Sequence, residues 1–163
     1  MKNMLFLAVA VFGISLTSCS QFIPAKKVDS ANTNVNANAS AFEMDVLAEI
    51  NKYRASKKLS PLSMNKAVLD EARKHSADMA SKAVAFGHDG FSQRSQRLSQ
   101  KLSYIRNVGE NVAYGQVSAK EVVEDWLTSP GHKKNIEGNF TETGIGIARN
   151  SKGVIYYTQI FIR

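Results

Sequence analysis

The chain carries three histidines, and two of them stand where the backbone is expected to turn. His132 lies in the stretch Trp126 to Ile136, W-L-T-S-P-G-H-K-K-N-I. A residue before proline avoids the helical region, so a helix through Trp126 should end at Ser129, and Pro130-Gly131 reads as a tight turn. His132 then sits at the mouth of that turn and opens a short basic segment, Lys133 to Ile136. A neutral imidazole on a rigid turn can bind a metal ion or pass a proton near neutral pH. The plainer role is a hydrogen bond that closes the turn. His88 stands in a glycine-bracketed loop, F-G-H-D-G-F over 86–91. His75 falls on or beside the apolar stripe of a helix, which gives it a structural role.

The lone cysteine, Cys19, is the other chemically distinctive residue. Residues 1–18 read as an export signal: Lys2 supplies the positive start, and Met4 to Leu16 is an apolar run too short to span a bilayer. The run ends in L-T-S-C (16–19), which resembles the bacterial lipobox. That resemblance implies cleavage before Cys19 and acylation of its sulfur and new amino terminus. It also implies a membrane-anchored, extracytoplasmic lipoprotein, at the outer membrane or cell surface, since Ser20 supplies no acidic retention signal. With one cysteine, an intrachain disulfide is excluded. Residues 19–40 form the lipidated start and a tether rich in Asn, Ala and Ser, with too little apolar mass to fold. A flexible chain of that length holds its cargo roughly 25 Å from the lipid surface on average.

Residues 41–163 then make one domain of ordinary size. The net charge of the whole chain, +7, most of it carried by this domain, favours anionic surfaces such as lipid head groups or wall polymers. It does not favour nucleic acid, because the charges are scattered and no aromatic platform interleaves them. Ser40 and Glu43 form a capping box for a helix to about Ser56, with Phe42, Val46, Leu47, Ile50 and Tyr53 on one face. Pro61 marks a turn, and Asn65 caps a second helix carrying Val68, Ala72, His75, Met79 and Ala83. Ser92 to Leu102 reads as a short polar helix, and Gly109 to Tyr114 as half strand and half turn. Ser118 and Glu121 cap a further helix that buries Val122, Val123 and Trp126. The period then changes to two. Gly144 to Ala148 and Val154 to Ile162 read as an antiparallel hairpin across Asn150 to Gly153. Helices early and a hairpin late predict an α+β fold.

The order H-D-G-F (88–91), G-E-N-V-A (109–113), W-L-T-S-P-G-H-K-K-N-I (126–136), G-I-G-I-A (144–148) and Y-Y-T-Q-I-F (156–161) resembles the bacterial branch of the CAP superfamily, whose unit is also called the SCP domain. N-K-Y-R (51–54) and P-L-S-M-N-K-A-V-L (61–69) fit the same pattern. The resemblance implies an α/β/α sandwich with a three-stranded antiparallel sheet. It also implies a surface cleft in which two histidines and two glutamates gather, some members binding a divalent metal there. His88, Glu110 and His132 match three of those positions, and Ser129 stands where the second glutamate would be.

Two histidines and one glutamate are the ligand set of an open zinc site, and the same groups suit acid–base work. Each is flanked by glycine, at Gly87 and Gly90, Gly109, and Gly131, so convergence on one partly exposed cleft is expected. Glu110 should reach at least one imidazole, and without a second glutamate any zinc should bind weakly. The domain has no cysteine and no G-x-S-x-G elbow, so no nucleophile is committed. The expected function is binding of a lipid, an envelope polymer or a protein partner. A hydrolase using the same cleft and a structural surface protein are the alternatives.

Overall fold

In the computed structural model, which describes residues 40–163, Ser40 opens the first helix as its spacing to Glu43 predicts. The backbone N–H of Glu43 donates to Ser40 Oγ, and the Ser40 N–H donates back to Glu43 Oε2 at 2.7 Å. This helix, α1, spans Ala41–Ser56. Strand β1 (Ser63–Met64), helix α2 (Lys66–Ala80) and helix α3 (Phe91–Lys101) follow. Strand β2 (Val108–Tyr114), helices α4 (Ala119–Thr128) and α5 (Pro130–Ile136), and strands β3 (Glu142–Arg149) and β4 (Ile155–Ile162) complete the domain. The segments expected to be an export signal and a tether, with Cys19, lie outside the described residues.

The sheet has four strands in the order β1-β3-β4-β2, where three antiparallel ones were expected. Strands β3, β4 and β2 are antiparallel neighbours, and β1 adds a two-residue parallel pairing to β3. The extra strand comes from how the turn after α1 is held. The Asn51 amide donates to the Leu62 carbonyl and accepts from its N–H, at 2.9 and 2.8 Å, which lays Ser63–Met64 along β3.

Pleating sorts the two faces of the sheet. Ile145, Tyr157 and Phe161 pack with Val46, Ile50, Val122 and Trp126, so α1 and α4 cover one face. Ile160 and Ile162 pack with Val68, Ala72 and Leu98 on the other, under α2 and α3. On that second face Gly144 and Gly146 let α2 lie directly on β3. A Cβ at either position would overlap the backbone of Val68 and Leu69, or of Ala72 and Arg73. The layers are the α/β/α sandwich that the family pattern implies.

Two local expectations are corrected. Pro130-Gly131 is not a turn: Ser129 is extended (φ −89°, ψ 118°), and Pro130 is the first residue of α5. Proline suits that place because its fixed φ is helical and its missing N–H would have had no partner. Gly109–Tyr114 is strand throughout, paired residue by residue with β4. Gly109 is there for space, since a Cβ would press on Asn135 Oδ1 and the Phe140 ring, each 3.1 Å away.

The motif N-K-Y-R fixes α5 from below. Tyr53 donates its hydroxyl proton to Glu137 Oε1 at 2.6 Å. The buried Arg54 guanidinium donates to the carbonyls of Ser60, Ile136, Gly138 and Phe140. Arg54 therefore satisfies carbonyls at the C-terminal end of α5, which a short helix cannot satisfy itself.

Candidate functional site

The site is built on β2, the edge strand. Glu110 lies on the face shared with α3, and its side chain is almost wholly buried. A carboxylate there needs a partner, and α3 supplies one that sequence reasoning missed. Arg94 donates from Nε to Glu110 Oε2 at 2.8 Å and from Nη2 to Oε1 at 2.7 Å. Its third nitrogen donates to the Asp89 carbonyl at 2.8 Å, which ties the H-D-G-F loop to the same clamp. The signal was faint but present. Arg94 falls in register with Phe91, Leu98 and Leu102 along an otherwise polar helix, so it had to face inward.

His88 completes the group. Its Nδ1 is 3.0 Å from Glu110 Oε1. A carboxylate clamped by arginine only accepts, so Nδ1 carries a proton and Nε2 is the ring nitrogen left to face other partners on the half-exposed side chain. Gly90, with φ +77°, turns the chain from His88 into α3. His75 holds the loop from beneath: it is buried, and its Nε2 donates to the Gly87 carbonyl at 3.0 Å. Burial, and the Arg94 charge less strongly, depress its pKa against the raising pull of Gly87, Glu110 and Asp78.

His132 stands on α5 rather than on a turn, and α5 is stitched to β2 from the opposite face. Asn111 Nδ2 donates to the His132 carbonyl at 3.2 Å. Asn135 Nδ2 donates to the Glu110 carbonyl and to Asn111 Oδ1, at 3.0 and 2.8 Å. The asparagines of G-E-N and H-K-K-N thus register helix against strand. Burial, and then the nearby His88, push the His132 pKa below its usual value.

Two adjoining hollows result, with β2 as their common wall. One, of about 300 Å³, is lined by His88, Phe91, Glu110 and Asn135. The other, of about 230 Å³, holds His132 and Ser129 beside Phe86, Tyr114 and Trp126. The structure brings His88 and Glu110 into contact and sets His132 in the next hollow.

A family model, CAP: Cysteine-rich secretory protein family, matches residues 47–161. The chain belongs to the CAP family. It is 34% identical over 137 residues to the uncharacterized protein YkwD of Bacillus subtilis, covering 82% of this chain and 51% of that one. With the uncharacterized membrane protein YlbC of the same organism it shares 32% identity over 124 residues, covering 74% of this chain and 34% of that one. It therefore spans about half, or less, of the curated relatives it matches. Among solved structures, an SCP-domain extracellular protein of Bacillus anthracis superposes with a TM-score of 0.62 at 26% identity, covering 85% of this chain and 45% of that one. An outer surface protein of Borrelia burgdorferi superposes with a TM-score of 0.64 at 18% identity, covering 76% of this chain and 96% of that one, which shows a shared fold.

As arranged, the CAP-family cluster does not fit a three-ligand zinc site. Both Glu110 oxygens already accept hydrogen bonds from Arg94, and one accepts from His88 as well. Among the described residues, no three His, Cys, Asp or Glu side chains are grouped to hold a metal ion. The arrangement is a carboxylate that orients one imidazole, with a second imidazole next to it.

Proposed function

We propose that this CAP domain is exported, held at the cell envelope by acyl chains on Cys19, and acts by binding a ligand at the His88–His132 cleft. The observation that carries the reading is the Arg94 clamp on Glu110. It turns the carboxylate into a holder of His88 and fixes which nitrogen the ring presents. His132, kept toward its neutral form by burial first and then by His88, offers an imidazole with one accepting nitrogen. An accepting imidazole beside the apolar walls of Phe86 and Trp126, with the His88 ring in the adjoining hollow, suits a ligand that has a hydroxyl or amide donor and an apolar body. Pull-down and lipidomics on protein taken from its native envelope test the reading. A ligand retained by the wild type and lost in His88→Ala and His132→Ala is the expected result.

The anchor is assigned to Cys19 on the L-T-S-C pattern at 16–19; the described residues include no helix long and apolar enough to cross a membrane. Cys19→Ala should move the protein to the soluble fraction with its melting temperature unchanged. Retention at the membrane would overturn that assignment.

A hydrolase of envelope polymers or peptides is the second reading, favoured by the His88–Glu110 contact, which is also how a general base is oriented. Turnover of peptidoglycan or casein that His132→Ala abolishes would replace the binding reading with this one.

A further inference from the structure

We infer that an anionic glycan strand binds across the end of the sheet, with sugar rings on exposed aromatics and acidic substituents in a basic hollow. The surface begins where the His132 hollow ends. Phe86 and Tyr114 wall that hollow and are 47% and 53% exposed, so together they offer a contiguous aromatic surface to a ligand. Their centroids are 4.7 Å apart in an edge-on arrangement. Tyr114 in turn stacks on Tyr156 at 5.6 Å, the planes only 19° apart. The three rings form one ladder that runs from β2 onto β4.

Beyond the ladder the chemistry changes sign. Tyr156 faces Ala148 across the β3–β4 pair, and Ala148 lines a hollow of about 680 Å³ between the end of α2 and the hairpin. Ala77 and Ala80 give this hollow an apolar lining, while Lys82, Arg149 and Lys152 supply its charge; among the described residues, no acidic side chain lines it. The Arg149 guanidinium is steadied by donating to the Gly153 carbonyl at 3.1 Å. Aromatic faces alone would suit any apolar ligand, and cations alone any polyanion. Side by side, in a concave site, they select a chain that alternates flat C–H faces with negative groups. A flat anionic membrane would meet the rims of this hollow and leave its depth empty.

The inference deepens the binding reading and rests on it, because the aromatic ladder opens onto the His132 hollow. Its test is calorimetry on the full chain in detergent with three probes: a glucuronate-containing hexasaccharide, an uncharged hexasaccharide, and inorganic polyphosphate of matched charge. The charged sugar should bind at least tenfold more tightly than either other probe. Tyr114→Ala should weaken it about tenfold, and Lys82→Ala with Lys152→Ala by a similar factor, the two losses multiplying. All these side chains are exposed, and unchanged melting temperatures will show that the variants fold. Polyphosphate binding as tightly as the charged sugar, with Tyr114→Ala silent, would overturn the inference in favour of charge alone. Tighter binding to anionic phospholipid vesicles than to the sugar would overturn it in favour of a membrane contact. A null result with the sugar, beside an envelope ligand that still depends on His88, would end this inference and leave the cleft reading standing.

Discussion

Arg94 holds Glu110 through two parallel hydrogen bonds, 2.8 and 2.7 Å long, with both side chains almost wholly buried. Each charge was removed from water and is compensated chiefly by the other. Removing one partner of such a pair commonly costs about 3–5 kcal/mol, because the survivor is left buried and uncompensated. Arg94→Ala should therefore fall in that range by urea denaturation. The double variant Arg94→Ala, Glu110→Ala should be less destabilised than the sum of the singles. If the two losses simply add, the clamp does not couple the residues.

Metal removal follows from the same contact. A glutamate occupied by arginine is a poor ligand, so a chelator should shift the melting temperature by less than a degree. Added zinc should bind weakly and reversibly at neutral pH and lose affinity in His88→Ala and His132→Ala. A chelator that unfolds the domain would show that the clamp opens to take a metal.

Trp126 is 1% exposed, and its indole N–H donates to the Val112 carbonyl at 3.2 Å. It meets Tyr157 edge-on, so it joins α4 to the outer strand and to the sheet's centre. Truncation of a buried tryptophan costs about 3–5 kcal/mol, and Trp126→Ala should show it as a loss of several degrees or more. A melt within a degree or two of wild type would contradict this account of the core.

These residues also show how far the sequence was legible. Caps with side-chain signatures were read to the residue: Ser40 with Glu43, Asn65, and Ser118, which accepts from Glu121 N–H. The strand period of two gave β3 and β4 for the same local reason. What failed was set by neighbours far away in sequence. Gly109 looked like a turn residue because nothing nearby reveals that Asn135 and Phe140 crowd its α-carbon. Pro130 is compatible both with a turn and with the first position of a helix. Arg54, bound to the distant carbonyls of Ile136, Gly138 and Phe140, supports the helix by satisfying its far end. At the site, His88, Glu110 and His132 were found through the family pattern. Arg94 was not, because its partner lies sixteen residues away on a strand.

Two histidines set the acid response of the fold. His75 is pushed below its ordinary pKa by burial first and then by Arg94, outweighing the pull of Gly87, Glu110 and Asp78. His132 is pushed down by burial first and then by His88. In the unfolded chain both titrate near about 6.5. Below that pH the unfolded state binds protons that the folded state refuses, so stability rises with pH across the window. The contribution is fully present above about 6.5 and is lost as pH falls from there toward the depressed folded values. Glu71 responds elsewhere. Burial pushes its pKa up, but the hydrogen bonds and charges of Arg97 and Lys101 pull it down further, so its contribution disappears only in the carboxylate range. Denaturant melts of the wild type between about pH 7.5 and 5.5 should therefore show stability falling with pH as the two histidines titrate. His75→Gln keeps a donor for the Gly87 carbonyl and removes the titration, so its slope over this window should be shallower. Parallel slopes for the two proteins would show that His75 does not enter the fold in the neutral form.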